Sequence, residues 1–166
     1  MTTARRKRKQ YCAWLAACGG LALFLAINVL VSRAFATDRI VVDWHSGLAI
    51  GGYDPVAFFT DGKPMAGSEE LEMRYGGAIW RFCNPGNRAA FAARPDVYMP
   101  RYGGYDPLGV AHGVAVAGNP NVWLVAGERL FLFYDRSRLE KFAADPDRVT
   151  GSADRKWPDV QRTLTP

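Results

Sequence analysis

Histidine and cysteine are nearly missing from this chain. Two histidines, His45 and His112, and three cysteines stand among 166 residues. Cys12 and Cys18 fall in an uncharged N-terminal stretch, so Cys83 is the only thiol of everything downstream, and a disulfide framework is excluded there. An exported protein rarely keeps an idle exposed thiol, which leaves Cys83 as either a small buried apolar group or a functional one. Net charge is also scarce. The formal charge of +5 is carried by Arg5, Arg6, Lys7, Arg8 and Lys9; taking those five from 21 basic residues leaves 16, level with the 16 acidic ones. The isoelectric point near 9.3 is therefore no argument for a nucleic-acid partner, and none is expected.

Long apolar runs are limited to one, at residues 10–32, directly after the basic cluster. It is long enough to span a bilayer as a helix, and positive charge on its leading side keeps the N-terminus in the cytoplasm and sends the rest outward. The expected arrangement is an uncleaved signal anchor over residues 1–36 in the inner membrane, with an exported domain at residues 37–166 in the periplasm. Ala34-Phe35-Ala36 offers an alternative, cleavage after Ala36, although the apolar run exceeds the usual signal-peptide length. Leu15-Ala16-Ala17-Cys18 resembles a lipobox and supplies a third reading, lipidation at Cys18.

What the chain does have is a repeat. Gly51-Gly52-Tyr53-Asp54-Pro55-Val56 returns as Gly103-Gly104-Tyr105-Asp106-Pro107-Leu108. Sliding by 51 positions then puts Gly76 on Gly127, Phe82 on Phe133, Phe91-Ala92-Ala93 on Phe142-Ala143-Ala144, and Pro95-Asp96 on Pro146-Asp147. Turn residues alone would recur for local reasons, but the matched phenylalanines lie outside turns, so the pattern reads as a duplicated supersecondary unit. The units span roughly residues 48–98 and 100–149.

Local signals give each unit the same order. Residues 40–44 read as a short strand, and His45-Ser46-Gly47 as a turn. In each Asp-Pro the aspartate suits an N-cap and the proline a first helical position. Leu71, Met73 and Tyr75 alternate with polar neighbours, Gly76-Gly77 turns, and residues 79–83 return as a strand; residues 122–126 and 130–134 repeat this around Gly127-Glu128. Asn84-Pro85 and Asp135 start helices that end before Pro95 and Pro146. Phe91 and Phe142 should face the returning strands. The class is α+β: two related hairpin-plus-helix units sharing one small core, preceded by the transmembrane helix.

Tyr53-Asp54-Pro55-Val56-Ala57-Phe58-Phe59, Trp80-Arg81-Phe82-Cys83-Asn84, Asn87-Arg88, Phe91, Pro95 and Tyr98 together resemble the YHS domain family. Residues 48–59 with Tyr102-Gly103-Gly104-Tyr105 resemble, more closely, its exported bacterial branch of YHS domain-containing (seleno)proteins. The resemblance implies a metal-handling ancestry. The thiols it implies are absent at three places, where Ala57, Asn87 and Asp106 stand instead.

A remaining soft-metal site, for copper or zinc, would draw on Cys83, His45, His112, Asp54 and Asp106, with Met65, Met73 and Met99 as further donors. Each has a plainer reading: solvated or hydrogen-bonded histidines, capping aspartates, and a core-filling Met73. Thiolate sites need several such groups together, so the expected role is a membrane-anchored, non-catalytic interaction or accessory module with a degraded metal site and a partner in the membrane or periplasm. Trp44, Trp80, Trp123 and Trp157 would supply its aromatic surface. Soft-metal binding is the alternative. A second alternative is a thiol-dependent enzyme using Cys83, which lies just before a helix N-terminus where the dipole lowers a thiol pKa.

Overall fold

The structure, a computed structural model, describes residues 40–164. The expected transmembrane helix, the Ala36 cleavage point and the Cys18 lipobox all lie outside these residues. Among the described residues no helix is long and apolar enough to cross a membrane.

The class is α+β, with two two-stranded antiparallel sheets and six α-helices among the described residues. The first stretch comprises a 3₁₀ turn at Ile50–Gly52, α1 (Ala57–Thr60), β1 (Ser68–Tyr75), β2 (Ala78–Phe82), α2 (Pro85–Ala93) and α3 (Pro95–Tyr98). The second has a 3₁₀ turn at Arg101–Gly104, α4 (Pro107–Ala111), β3 (Asn119–Ala126), β4 (Arg129–Phe133), α5 (Arg136–Ala144) and α6 (Pro146–Thr163). Both helices after the hairpins are capped as their sequences demand: Asn84 Oδ1 accepts from Asn87 N and Asp135 Oδ1 from Arg138 N.

The two hairpins share one register. Met73 pairs with Trp80 and Tyr75 with Ala78 in the first; Leu124 pairs with Phe131 and Ala126 with Arg129 in the second. Each has a bulge at the same place, between Ser68 and Glu72 or between Asn119 and Trp123. Both two-residue turns hold left-handed backbone throughout, at Gly76-Gly77 and at Gly127-Glu128, as a tight hairpin with native twist requires. The Gly-Gly-Tyr-Asp loops are also anchored alike. Gly52 O accepts from Gly67 N at 2.9 Å and Gly104 O from Gly118 N at 3.0 Å. Gly67 and Gly118 press on the returning strands so closely that a Cβ would come 2.4 Å from Arg81 backbone and 2.5 Å from Leu132 Cβ. Glycine is required there by space.

The core departs from the sequence expectation of one small shared core. There are two apolar clusters, one on each face of the second hairpin. Leu130 and Leu132 of β4 join Ile50, Phe58, Trp80, Phe82 and Phe91. Phe131 and Phe133, the alternate residues of the same strand, join Tyr102, Val110, Phe142, Val149, Ala153 and Val160. β3 divides the same way, with Trp123 and Val125 against the first cluster and Val122 and Leu124 against the second. A strand buried on both faces separates two cores, because successive side chains point oppositely. The expected partners of the helix phenylalanines are in place: the Phe91 ring centroid is 5.3 Å from Phe82 and that of Phe142 is 5.2 Å from Phe133.

Two local expectations are corrected. Residues 40–44 form no strand; Val42 makes an isolated bridge to Ala49, while Val41 N donates to Gly103 O at 2.7 Å. Pro55 does not open the first helix: α1 starts at Ala57 with Val56 at its cap, and Asp54 bonds the turn ahead of it through Val56 N and Ala57 N. The helix from Asp135 does end before Pro146, and a further helix not expected from the sequence follows it, with Asp145 as cap and Pro146 in the first turn, where a missing N–H costs nothing. That helix, α6, packs along α4 and buries Val149, Ala153 and Val160 on one face.

Candidate functional site

Each Gly-Gly-Tyr-Asp loop ends in a fully buried aspartate that reaches across to the end of its returning strand. Asp54 is 0% exposed. Its Oδ1 accepts from Val56 N at 2.8 Å and Ala57 N at 3.4 Å; its Oδ2 accepts from Cys83 N at 2.9 Å and Asn87 Nδ2 at 2.7 Å. Loop, strand end and α2 are thus joined by one carboxylate. Burying a carboxylate is costly unless its oxygens are hydrogen-bonded, and here both are.

Asp106 makes the equivalent pin. It is also 0% exposed, and it accepts from Gly109 N at 2.9 Å, Tyr134 N at 2.9 Å and Arg138 Nη1 at 3.1 Å. Tyr134 stands where Cys83 does, and Arg138 where Asn87 does, 51 positions on. One pin is therefore closed by an amide beside a thiol, the other by a guanidinium lying over the Tyr134 ring.

The Cys83 thiol is half-buried. Asn84 Nδ2 donates to its Sγ at 3.4 Å and Asn87 Nδ2 at 3.5 Å. Burial first, then hydrogen bonding with the Asp54 carboxylate and its charge, push the thiol up to about 11. This runs against the expectation that the following helix would lower it. Partial desolvation and the neighbouring Asp54 carboxylate both favour the neutral thiol.

The structure brings Asp54 together with Cys83, and leaves the other candidates elsewhere. His45 lies in the exposed turn against the Trp44 ring. His112, at the end of α4, has Nδ1 2.7 Å from Leu108 O. Asp106 serves its own pin. Met73 and Met99 pack against the first cluster, and Met65 lends its carbonyl to Asp54 N. Among the described residues no three His, Cys, Asp or Glu side chains gather as a metal site would require. The expected aromatic surface is also reduced: Trp80 is buried, Trp123 and Trp157 pack against the clusters, and Trp44 alone projects.

Asn87, Tyr134 and Arg138 were not among the residues singled out from sequence as site members. The 51-position offset carries the signal, since it maps Cys83 and Asn87 onto Tyr134 and Arg138 once Asp54 and Asp106 are recognised as equivalent. The chain matches no protein-family model, no curated protein and no solved structure.

Proposed function

We propose that the chain is a divergent YHS-like module, built by internal duplication, anchored in the inner membrane by residues 10–32 and carrying its domain outside the cytoplasm as a non-catalytic interaction or accessory protein. The observation that carries this reading is the Asp54 pin. Where the YHS resemblance implies a second cysteine, Asn87 spends its amide on Asp54 Oδ2 and Cys83 Sγ. The position is occupied by a hydrogen-bond donor that offers no thiolate. With the thiol pushed up to about 11, the remaining sulfur suits neither a nucleophile nor a lone soft-metal ligand at neutral pH. The residues of the ancestral site have become part of the frame. Shared hairpin register, shared bulges and shared loop anchors support the duplication.

Two measurements on the untagged full chain test this. Elemental analysis should find copper and zinc far below one per chain, and a chelator should leave the melting temperature unchanged. Stoichiometric metal whose removal by chelator or by Cys83→Ser lowers the melting temperature alike would overturn the reading. For topology, the protein should remain in carbonate-washed membranes at the mass of the full chain; a soluble product starting at Thr37 would refute the anchor.

A further inference from the structure

We propose that the turn at residues 41–47 is a lipid-facing surface, with the Trp44 indole seated in the interfacial layer of the membrane that holds the chain. The proposal rests on the anchor reading above. Trp44 is 82% exposed, more than any other large apolar side chain described, and Val42 beside it is 41% exposed. An exposed tryptophan on a loose loop would carry little meaning, but this turn is held firmly. Asp43 Oδ1 accepts from His45 N at 3.1 Å, Ser46 N at 2.8 Å and Ser46 Oγ at 2.9 Å. Gly47 N donates to Asp43 O at 2.7 Å, and Asp43 N to Leu48 O at 3.0 Å. The charge of Asp43 is thus met within the turn, and the indole is left outside it.

Chain length decides what lies opposite. Ile40 is buried and Val41 N is bonded to Gly103 O, so the chain is held to the fold by residue 40. Only residues 33–39 separate it from the end of the apolar stretch, and a fully extended segment of that length reaches roughly 25 Å at most. The turn is the first part of the fold to follow that tether along the chain. Trp44 and Val42 are too small a patch for a specific protein interface, which needs about 800 Å² on each partner. They suffice to orient a domain already held at a bilayer, because an indole with an apolar body and an N–H prefers the headgroup boundary.

The test uses the full chain reconstituted in phosphatidylcholine vesicles, in a Trp14→Phe background that removes the tryptophan of the apolar stretch, with and without Trp44→Phe. Bromine is placed on the lipid chains either near the headgroup or near the terminal methyl. The emission that depends on Trp44 should fall by roughly twofold or more with shallow bromine, less with deep bromine, and should be shielded from aqueous acrylamide. Trp44→Phe should leave the far-UV circular dichroism and melting temperature unchanged. Protein retained by carbonate-washed vesicles whose Trp44 emission ignores bromine and is freely quenched by acrylamide overturns the lipid contact while leaving the anchor intact. Protein released by carbonate overturns both.

Discussion

The two hairpins differ on one face. On that face of β1 and β2 stand Glu72, Arg74, Ile79 and Arg81, and Arg81 pairs with Glu69 at 3.1 Å and Glu72 at 2.9 Å near the surface. Leu132 stands at the position of Arg81 in the second hairpin, fully buried against the first cluster. Strand pairing and register are the same, while Glu72, Arg74 and Arg81 are answered by Trp123, Val125 and Leu132. A hairpin can thus serve as a middle layer through a few side chains on one face, with the same hydrogen-bond ladder as one that faces solvent.

The largest expected effects test whether the two clusters act together. Phe91→Ala and Phe142→Ala should each destabilise by about 3 to 5 kcal/mol, and urea unfolding of either variant should remain a single transition by fluorescence and circular dichroism. Two separate transitions would break the picture of clusters joined through β4. Next, Leu132→Ala should cost about 2 to 5 kcal/mol, whereas Arg81→Ala at the matching site should cost much less, since ion pairs at the surface contribute little. Equal losses would remove the distinction between the hairpins.

The buried aspartates sharpen the comparison further. Asp54→Asn and Asp106→Asn each turn an amide N–H₂ toward donors, at about 2 to 4 kcal/mol. The loss at Asp106 includes an ion pair with partly exposed Arg138 and should shrink as salt is raised; the loss at Asp54, whose partners are uncharged, should not. The smallest effect is expected at Cys83. Its half-buried sulfur has polar partners that a hydroxyl can also use, so Cys83→Ser should cost under about 1 kcal/mol. Alkylation of Cys83 at pH 8 should be roughly a hundredfold slower than that of an ordinary thiol, its rate climbing until the pH reaches about 11. Because the folded state favours the neutral thiol, this group's stabilising contribution is full below the ordinary thiol range and is lost as pH rises through about 11.

The hairpins, their turns and both phenylalanine contacts were legible because alternation, glycine pairs and the 51-position repeat are local signals. Asp106 was legible as a helix cap, whereas the helix after Asp54 is capped at Val56; the second oxygens of both aspartates reach Cys83 N and Tyr134 N, far along the chain, and no spacing announces such bonds. The split core did have a trace. β1 alternates charge with apolar residues, whereas Val122-Trp123-Leu124-Val125-Ala126 and Leu130-Phe131-Leu132-Phe133 run unbroken, as strands buried on both faces do. Pro146 marks the end of α5 as its position implies, but the start of α6 is not legible beside it, because Asp145 closes one helix and caps the next. His45 and His112 were candidates by residue type alone, and the fold uses neither with Cys83.

The placement of β4 has a consequence for the order in which the protein can be completed. The first cluster holds residues 40–91 and then waits for Leu130 and Leu132. A nascent chain whose first hairpin and α2 have already emerged still lacks one wall of that core, and Phe58, whose ring centroid lies 5.2 Å from that of Trp123, stays uncovered until the second hairpin follows. Domains commonly close as synthesis proceeds from the N-terminus. Here the earlier half must wait for the later one, so a chain stalled between residues 98 and 129 should be far more sensitive to protease than one stalled just beyond residue 164.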